Sequence, residues 1–337
     1  MQSKSLPRDV PSSLTESAHE AYSRLLPLEA QEPEKIRICG WMLICAPSLS
    51  GQLYVAECIN RCTTSEKIFG LGNDYRIYFL SYFRMALHRP TPASTEHPSR
   101  PSLDDYRDRI LDTIHEAPKS HGDAKRRALV RDDYKCMLSG YTESTYYEQN
   151  VERLDKTPGI KVGPTECSHI LPQYVNQGLE DGFRLCVKLD ASATVWTVLS
   201  HFGEVPPAEL SGKGMHRLAN IMTLKSDYHK SFDSLHLWLE STSGTNTYKI
   251  CRSSPVYHPE LPSTVTFRSK HPEFPLPDPR YLALHAACAR VVHLSGAAKS
   301  VDRILDDATS IQVLSGDGSS SEILTYLLSA KALTMVH

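Results

Sequence analysis

Three short stretches in the middle of the chain limit most sharply what it can fold into: Glu166-Cys-Ser-His169-Ile-Leu-Pro172, Asn220-Ile-Met-Thr-Leu224 and His229-Lys-Ser-Phe-Asp233. The first reads as a short strand stopped by proline, which cannot donate to a sheet ladder. In the second, an asparagine precedes an apolar run, where it either caps the following turn or pins a neighbouring loop. The third sets an imidazole and a carboxylate four residues apart, side by side on one helix face. Between Asn220 and His229 there is room for a strand or turn followed by entry into that helix. Strand, loop, strand, helix is a minimal scaffold for holding one metal beside one general base.

Phosphodiester hydrolysis asks for residues of these types. A water nucleophile must lose a proton, and a neutral histidine with an ordinary pKa near 6.5 suits that role. Charge developing on the phosphate and the leaving oxygen calls for a divalent cation, held by imidazole and carboxylate with positions left open. The base must present one defined ring nitrogen, so a carbonyl is expected to fix the other. Each residue also has a plainer reading. His169 alone reads as a hydrogen-bonded core histidine, and His229 with Asp233 as a surface pair worth a few tenths of a kcal/mol. Only the ordered set points to chemistry.

That ordered set resembles the HNH endonuclease family, and within it the HNH-containing proteins common in fungi. Upstream, Arg127-Ala-Leu-Val-Arg-Asp132-Asp-Tyr-Lys-Cys136-Met-Leu-Ser-Gly140 is similar to that group's run into the fold, and Leu284-His-Ala-Ala-Cys-Ala-Arg-Val-Val-His-Leu-Ser-Gly296 to its helical tail. The resemblance covers roughly residues 105–335, with a short specific part. It implies a ββα-metal core with His169 as general base and Asn220 orienting it. His229 and Asp233 would bind the metal, Mg²⁺ first, with Mn²⁺ or Zn²⁺ as alternatives. Many members carry a metal-binding Asp or His just before the base, where this chain has Ser168. A serine hydroxyl is a poor ligand, so Ser168, Glu166 and His216 stand as candidates for a third ligand or a supporting group. The zinc-stabilising cysteine pairs of some members are also missing. Nucleic acid is the implied partner.

The rest of the chain frames that core. A formal net charge of −2 excludes a chain-wide basic footprint of the kind nucleic-acid binders use, so phosphate contacts must come from a local face. Lys125, Arg126, Arg127 and Arg131 supply one candidate, with a merely solvated face as the alternative. No run of about 18 apolar residues exists to span a bilayer, and the N-terminus has no apolar signal core, so an intracellular protein is expected. Nine cysteines, an odd number without tight paired spacing, fit buried thiols better than a disulfide framework. Cys39, Cys45, Cys58 and Cys62 leave a zinc site conceivable but read first as small hydrophobes.

The expected architecture is α+β. Residues 1–100 form a small α+β module, in which Ser13-Leu-Thr-Glu16 resembles a helix start and 35–58 a β-hairpin turning at Pro47 to Gly51; a helix follows over Tyr75–Leu87. A Pro/Ser-rich connector over 89–102 leads into an HNH-like core at 101–252, beginning with helical text at 103–117 and 124–134. Residues 253–337 form a helical extension after an irregular, proline-rich 253–280, with helices over Pro279–Leu294, Lys299–Asp307 and Ser321–Leu333. Two other functions remain compatible with the same residues. One is a non-nuclease enzyme of small-molecule metabolism built on this scaffold; the other is a non-catalytic interaction module.

Overall fold

The computed structural model describes residues 3–84, 110, 118, 120–172 and 195–310. The expected connector at 89–102 and helix at 321–333 lie outside these residues, as does nearly all of the helix expected at 103–117. The chain divides into two compact units. One comprises Met1–Arg89, Pro172–Glu209 and Ala283–His337, the other Pro90–Leu171 and Leu210–Leu282.

In the first unit the described residues form helices, and the β-hairpin expected at 35–58 is replaced by two of them, Pro33–Ile44 and Leu49–Arg61. The N-terminal module is therefore helical rather than α+β over its described length, with further helices at Glu16–Leu25 and Ser65–Asp74. The physical reason is burial on all sides. Ile36, Ile38, Cys39, Gly40, Trp41, Met42 and Leu43 are all buried, so Pro33–Ile44 shows no apolar stripe and its text mimics an inner strand. Proline opens the first of these helices, where its fixed φ is favourable, and the Ser48 side chain caps the second by accepting from the Gly51 amide. Gly51 itself is required: a Cβ there would lie 2.4 Å from the Phe202 carbonyl oxygen. Helices also span Pro279–Ser295 and Ala298–Ser310, where the apolar spacing places them. No disulfide joins the described cysteines, and Cys39, Cys45 and Cys58 sit buried on these helices.

All seven described strands belong to the second unit. β1 (Thr142–Glu143) runs parallel to β2 (Val162–Gly163). β3 (Thr165–His169) and β4 (Ile221–Lys225) pair antiparallel, with Thr165 opposite Lys225 and His169 opposite Ile221. β5 (Leu237–Ser241), β6 (Thr247–Arg252) and β7 (Thr264–Thr266) form an antiparallel sheet. Directly after β4 the chain enters the helix Ser226–Asp233, which packs on the β3–β4 pair.

A second helix, His121–Arg131, also packs against that pair. Its Ala124, Ala128, Leu129 and Val130 share a buried cluster with Cys167, Leu218 and Ile221. Strand geometry then sorts the residues of β3, because alternate side chains point to opposite faces. Cys167 and His169 face the His121–Arg131 helix, whereas Glu166 faces Ser226–Asp233.

Arg131 locks this arrangement from inside. Its guanidinium donates to Asp132 Oδ1 at 2.7 Å, to the Leu218 carbonyl at 2.7 Å and to the Ile221 carbonyl at 2.8 Å. Both side chains are essentially fully buried, and Asp132 Oδ2 also accepts from the Thr223 amide of β4. A buried ion pair is tolerable only when its remaining donors are satisfied, as here. Arg131 is thus a structural clamp on the turn that carries Asn220, which corrects its reading as a phosphate contact. Arg127, 4% exposed and engaged with Asp123, is corrected for the same reason. Lys125 and Arg126 remain partly exposed.

Candidate active site

The Asn220 side chain is fully buried and clamps the chain just past His169. Its Oδ1 accepts from the Leu171 amide at 2.8 Å, and its Nδ2 donates to the Leu171 and Met215 carbonyls at 3.1 Å each. The Asn220 carbonyl accepts from the Ile170 amide at 2.9 Å. Two side-chain bonds and one backbone bond therefore hold Ile170–Leu171, and a third side-chain bond ties the Asn220 amide to Met215, so the C-terminal end of β3 cannot shift without leaving buried polar groups unsatisfied.

His169 closes β3 with its ring on the side of the His121–Arg131 helix. Its Nε2 lies 3.3 Å from His216 Nδ1, and its ring stacks on His121 at 5.4 Å between centroids. A carbonyl was expected against the second ring nitrogen; an imidazole stands there instead. Burial, with His121, His216 and His229 nearby, holds the His169 pKa well below the ordinary imidazole range. Burial, with His216, Lys125 and His229 nearby, lowers His121, and burial lowers His216. The three rings are thus shifted toward the neutral form, in which each keeps a lone pair for a proton or a metal. They offer one ring nitrogen each, all within 4.8 Å of one another, and could hold an ion.

His229 sits in the opposite environment. Its Nδ1 is 2.5 Å from Glu166 Oε2 and its Nε2 is 3.2 Å from Asp233 Oδ2, so one imidazole bridges two carboxylates. Burial disfavours the charged ring, but the Asp233 and Glu166 carboxylates outweigh it and push the His229 pKa up to about 10. The hydrogen bond from His229 in turn lowers the Glu166 carboxyl, against the effect of its partial burial. The spacing of His229 and Asp233 made their contact foreseeable. The arrival of Glu166 depends on the β3–β4 register and was visible only as one candidate among three.

Of the other two candidates, Ser168 is fully buried and its Oγ has no hydrogen-bond partner among the described residues. His216 joins His169 rather than the carboxylates. His121 was missed altogether. The one local hint is that Lys125 follows it by a single turn on the same helix face, after the Ser120 cap.

Residues 136–240 match the model of a family described as HNH endonuclease. The match covers well under half of the chain. It takes in Glu166, Ser168, His169, His216, Asn220, His229 and Asp233, and leaves His121 and the basic helix outside. No curated protein and no solved structure matches the chain. Among the described residues, no helix is long and apolar enough to cross a membrane.

Proposed function

We propose that β3, β4 and the Ser226–Asp233 helix form a ββα-metal core, and that the chain is a metal-dependent HNH-type endonuclease hydrolysing phosphodiester bonds in nucleic acid. The observation that carries this reading is the pairing of His229 with Glu166 and Asp233, one carboxylate at each ring nitrogen, beside a strand ending in His169, all within the segment matching an HNH endonuclease model.

By residue type the donor set suits a divalent cation of the magnesium class. Because Glu166 and Asp233 lie at opposite ring nitrogens of His229, the His229 side chain must turn for all three to face one ion. Two carboxylates and one imidazole suit hard cations better than an all-nitrogen set would, and Glu166 takes the place that Ser168 cannot fill. Glu166, His229 and Asp233 would hold such a cation, which would supply charge neutralisation to the scissile phosphate and its leaving oxygen. His229 must give up its extra proton to become a ligand, so metal affinity rises with pH.

His169 takes the proton from the attacking water. Nε2 faces His216, so Nδ1 is the nitrogen left to act as base, provided the shared proton lies on His169 Nε2. His216 is then a positioning residue that fixes the tautomer, and Asn220 holds the strand end on which the base is mounted. Lys125, on the His121 side, and Arg126 are the phosphate contacts this reading retains.

The test is cleavage of supercoiled plasmid and of single-stranded RNA by the purified chain with Mg²⁺ or Mn²⁺. Nicking is expected, and His169→Ala should reduce it by about 100- to 10,000-fold, the usual worth of a general base, with unchanged circular dichroism. Absence of cleavage with every divalent cation would refute the reading.

A further inference from the structure

We propose that His121, His169 and His216 form a second metal site, selective for a transition-metal dication of the zinc class, and that its occupation switches the nuclease off. The inhibitory half rests on the reading of His169 as the general base; the metal site itself does not.

Three observations carry the site. First, the ring nitrogens of three different segments converge: His121 from the first turn of its helix, His169 from the end of β3, and His216 from the turn before Asn220, all within 4.8 Å. Second, the 3.3 Å between His169 Nε2 and His216 Nδ1 matches the edge of a tetrahedral zinc site. Zinc–nitrogen bonds of about 2.0–2.1 Å place two ligand nitrogens about 3.4 Å apart. His121, partly exposed and near the start of its helix, can close the remaining distance by a side-chain adjustment. Third, the three donors are all imidazole nitrogens, without a carboxylate in the set. Such a set favours zinc, copper or nickel and is poor for magnesium, which demands oxygen. With three protein ligands, the fourth position stays open for water.

The two donor sets of this unit therefore sort cations. Glu166, His229 and Asp233 offer two carboxylates and one imidazole, and the other set is all nitrogen. His121 lies outside residues 136–240, so this second site is not contained in the segment that matches the HNH family model.

Counting lone pairs gives the functional consequence. A neutral imidazole has one ring nitrogen with a lone pair and one that carries hydrogen. In the active state His169 Nε2 carries the hydrogen shared with His216, and Nδ1 keeps the lone pair that accepts a proton from water. When zinc takes Nε2, the ring's single hydrogen moves to Nδ1, and His169 has no lone pair left for water. The proton leaves Nε2 for Nδ1 and no other group is consumed. A proton between His169 and His216 thus defines the active state, and a metal between them the inactive one.

The test uses the full-length, untagged, metal-stripped protein titrated with Co²⁺, a visible-absorbing stand-in for zinc, and then with Zn²⁺ in competition. One equivalent of cobalt should give the intense absorption of a four-coordinate nitrogen-rich site, displaced by zinc. His121→Ala and His216→Gln should each weaken binding by at least about 100-fold, since losing an outer-shell partner alone costs about 10- to 100-fold. Glu166→Gln with Asp233→Asn should leave the band in place. Melting curves of each variant confirm that it folds. In plasmid cleavage with Mg²⁺, added Zn²⁺ should inhibit the wild type and lose that effect in His121→Ala, measured against that variant's own magnesium-only rate. A cobalt band that survives both histidine substitutions, or that vanishes in the carboxylate variant, overturns the site. A cobalt band that follows His121, in a protein that cleaves nothing with any divalent cation, refutes the nuclease reading and the inhibitory role while the metal site stands. Cleavage that zinc leaves untouched overturns the inhibitory role alone.

Discussion

His169 and His229 are the same residue type, lie on elements that pack together, and are driven to opposite charge states. Burial pushes both rings toward neutrality. What separates them is the company each keeps: His169 meets two imidazoles, and His229 meets two carboxylates. The alternation of β3 decides which company that is, because Glu166 and His169 fall on opposite faces of one strand. A slip of one residue in the β3–β4 register would exchange those faces and bring Glu166 to the wrong helix. The difference teaches that the charge state of a histidine in this unit is set by its neighbours rather than by its residue type.

The strongest attempt to break this contrast removes the carboxylates. In the double variant Glu166→Gln, Asp233→Asn, burial is left unopposed, and the His229 pKa should fall from about 10 to below the ordinary imidazole value. If the proposed metal reading holds, magnesium-supported cleavage should drop by at least about 1,000-fold, because two charged groups of the proposed donor set are lost where an outer-shell partner alone is worth about 10- to 100-fold. Proton NMR titration of the histidine ring hydrogens reads the first effect and plasmid nicking the second. If His229 stays protonated above pH 8 in that variant, the carboxylates are not what charges it.

A smaller effect should separate the two sides of the strand. Asn220→Ala removes three side-chain hydrogen bonds and strands the Leu171 amide and carbonyl in the interior. Each buried group left unpaired costs about 1–3 kcal/mol, so urea unfolding should show a loss of about 3 kcal/mol. The His169 ring resonances should shift or broaden while the His229 titration stays in place, because Asn220 touches only the His169 end. Equal disturbance of both rings would mean that the two clusters move as one.

How much of this could be read from the chain depends on how far apart the contacting residues lie. The contact between His229 and Asp233 is legible because helix periodicity fixes it locally. So is the strand at His169, bounded by Pro172, and the two helices after Pro279, whose apolar residues keep a 3.6-residue spacing. The bond between Glu166 and His229 spans 63 positions and exists only once β3 and β4 take their register. His121 reaches His169 from a separate helix, and no spacing rule links them. Arg131 reads as a surface cation in a basic run, because charge patterning says nothing about the carbonyls of Leu218 and Ile221 that receive it. The helix Pro33–Ile44 misleads for a related reason: an element buried all round loses the stripe that identifies it.

The same contrast should appear as a pH dependence of stability in the metal-free protein, with an alkaline limb from His229 and an acid limb led by His169. His229 has a folded pKa of about 10, above its unfolded value near 6.5. Its contribution is therefore complete below about pH 6.5 and is lost as pH rises toward 10. His169 has a folded pKa depressed below 6.5, so its contribution is complete above that value and is lost as pH falls through the acid range. Together they predict a melting temperature that peaks near neutrality and declines on both sides. A tenfold change in proton affinity is worth about 1.4 kcal/mol, so both limbs should be resolved as shifts in melting temperature. Calorimetry of single variants assigns the limbs. His169→Gln should reduce the acid limb, which His121 and His216 share, and leave the alkaline limb in place. Asp233→Asn should flatten the alkaline side alone, since His229 then has less charge stabilisation to lose. Should one substitution flatten both limbs, the two rings titrate as a coupled set, and the opposition between them would belong to the pair rather than to each environment.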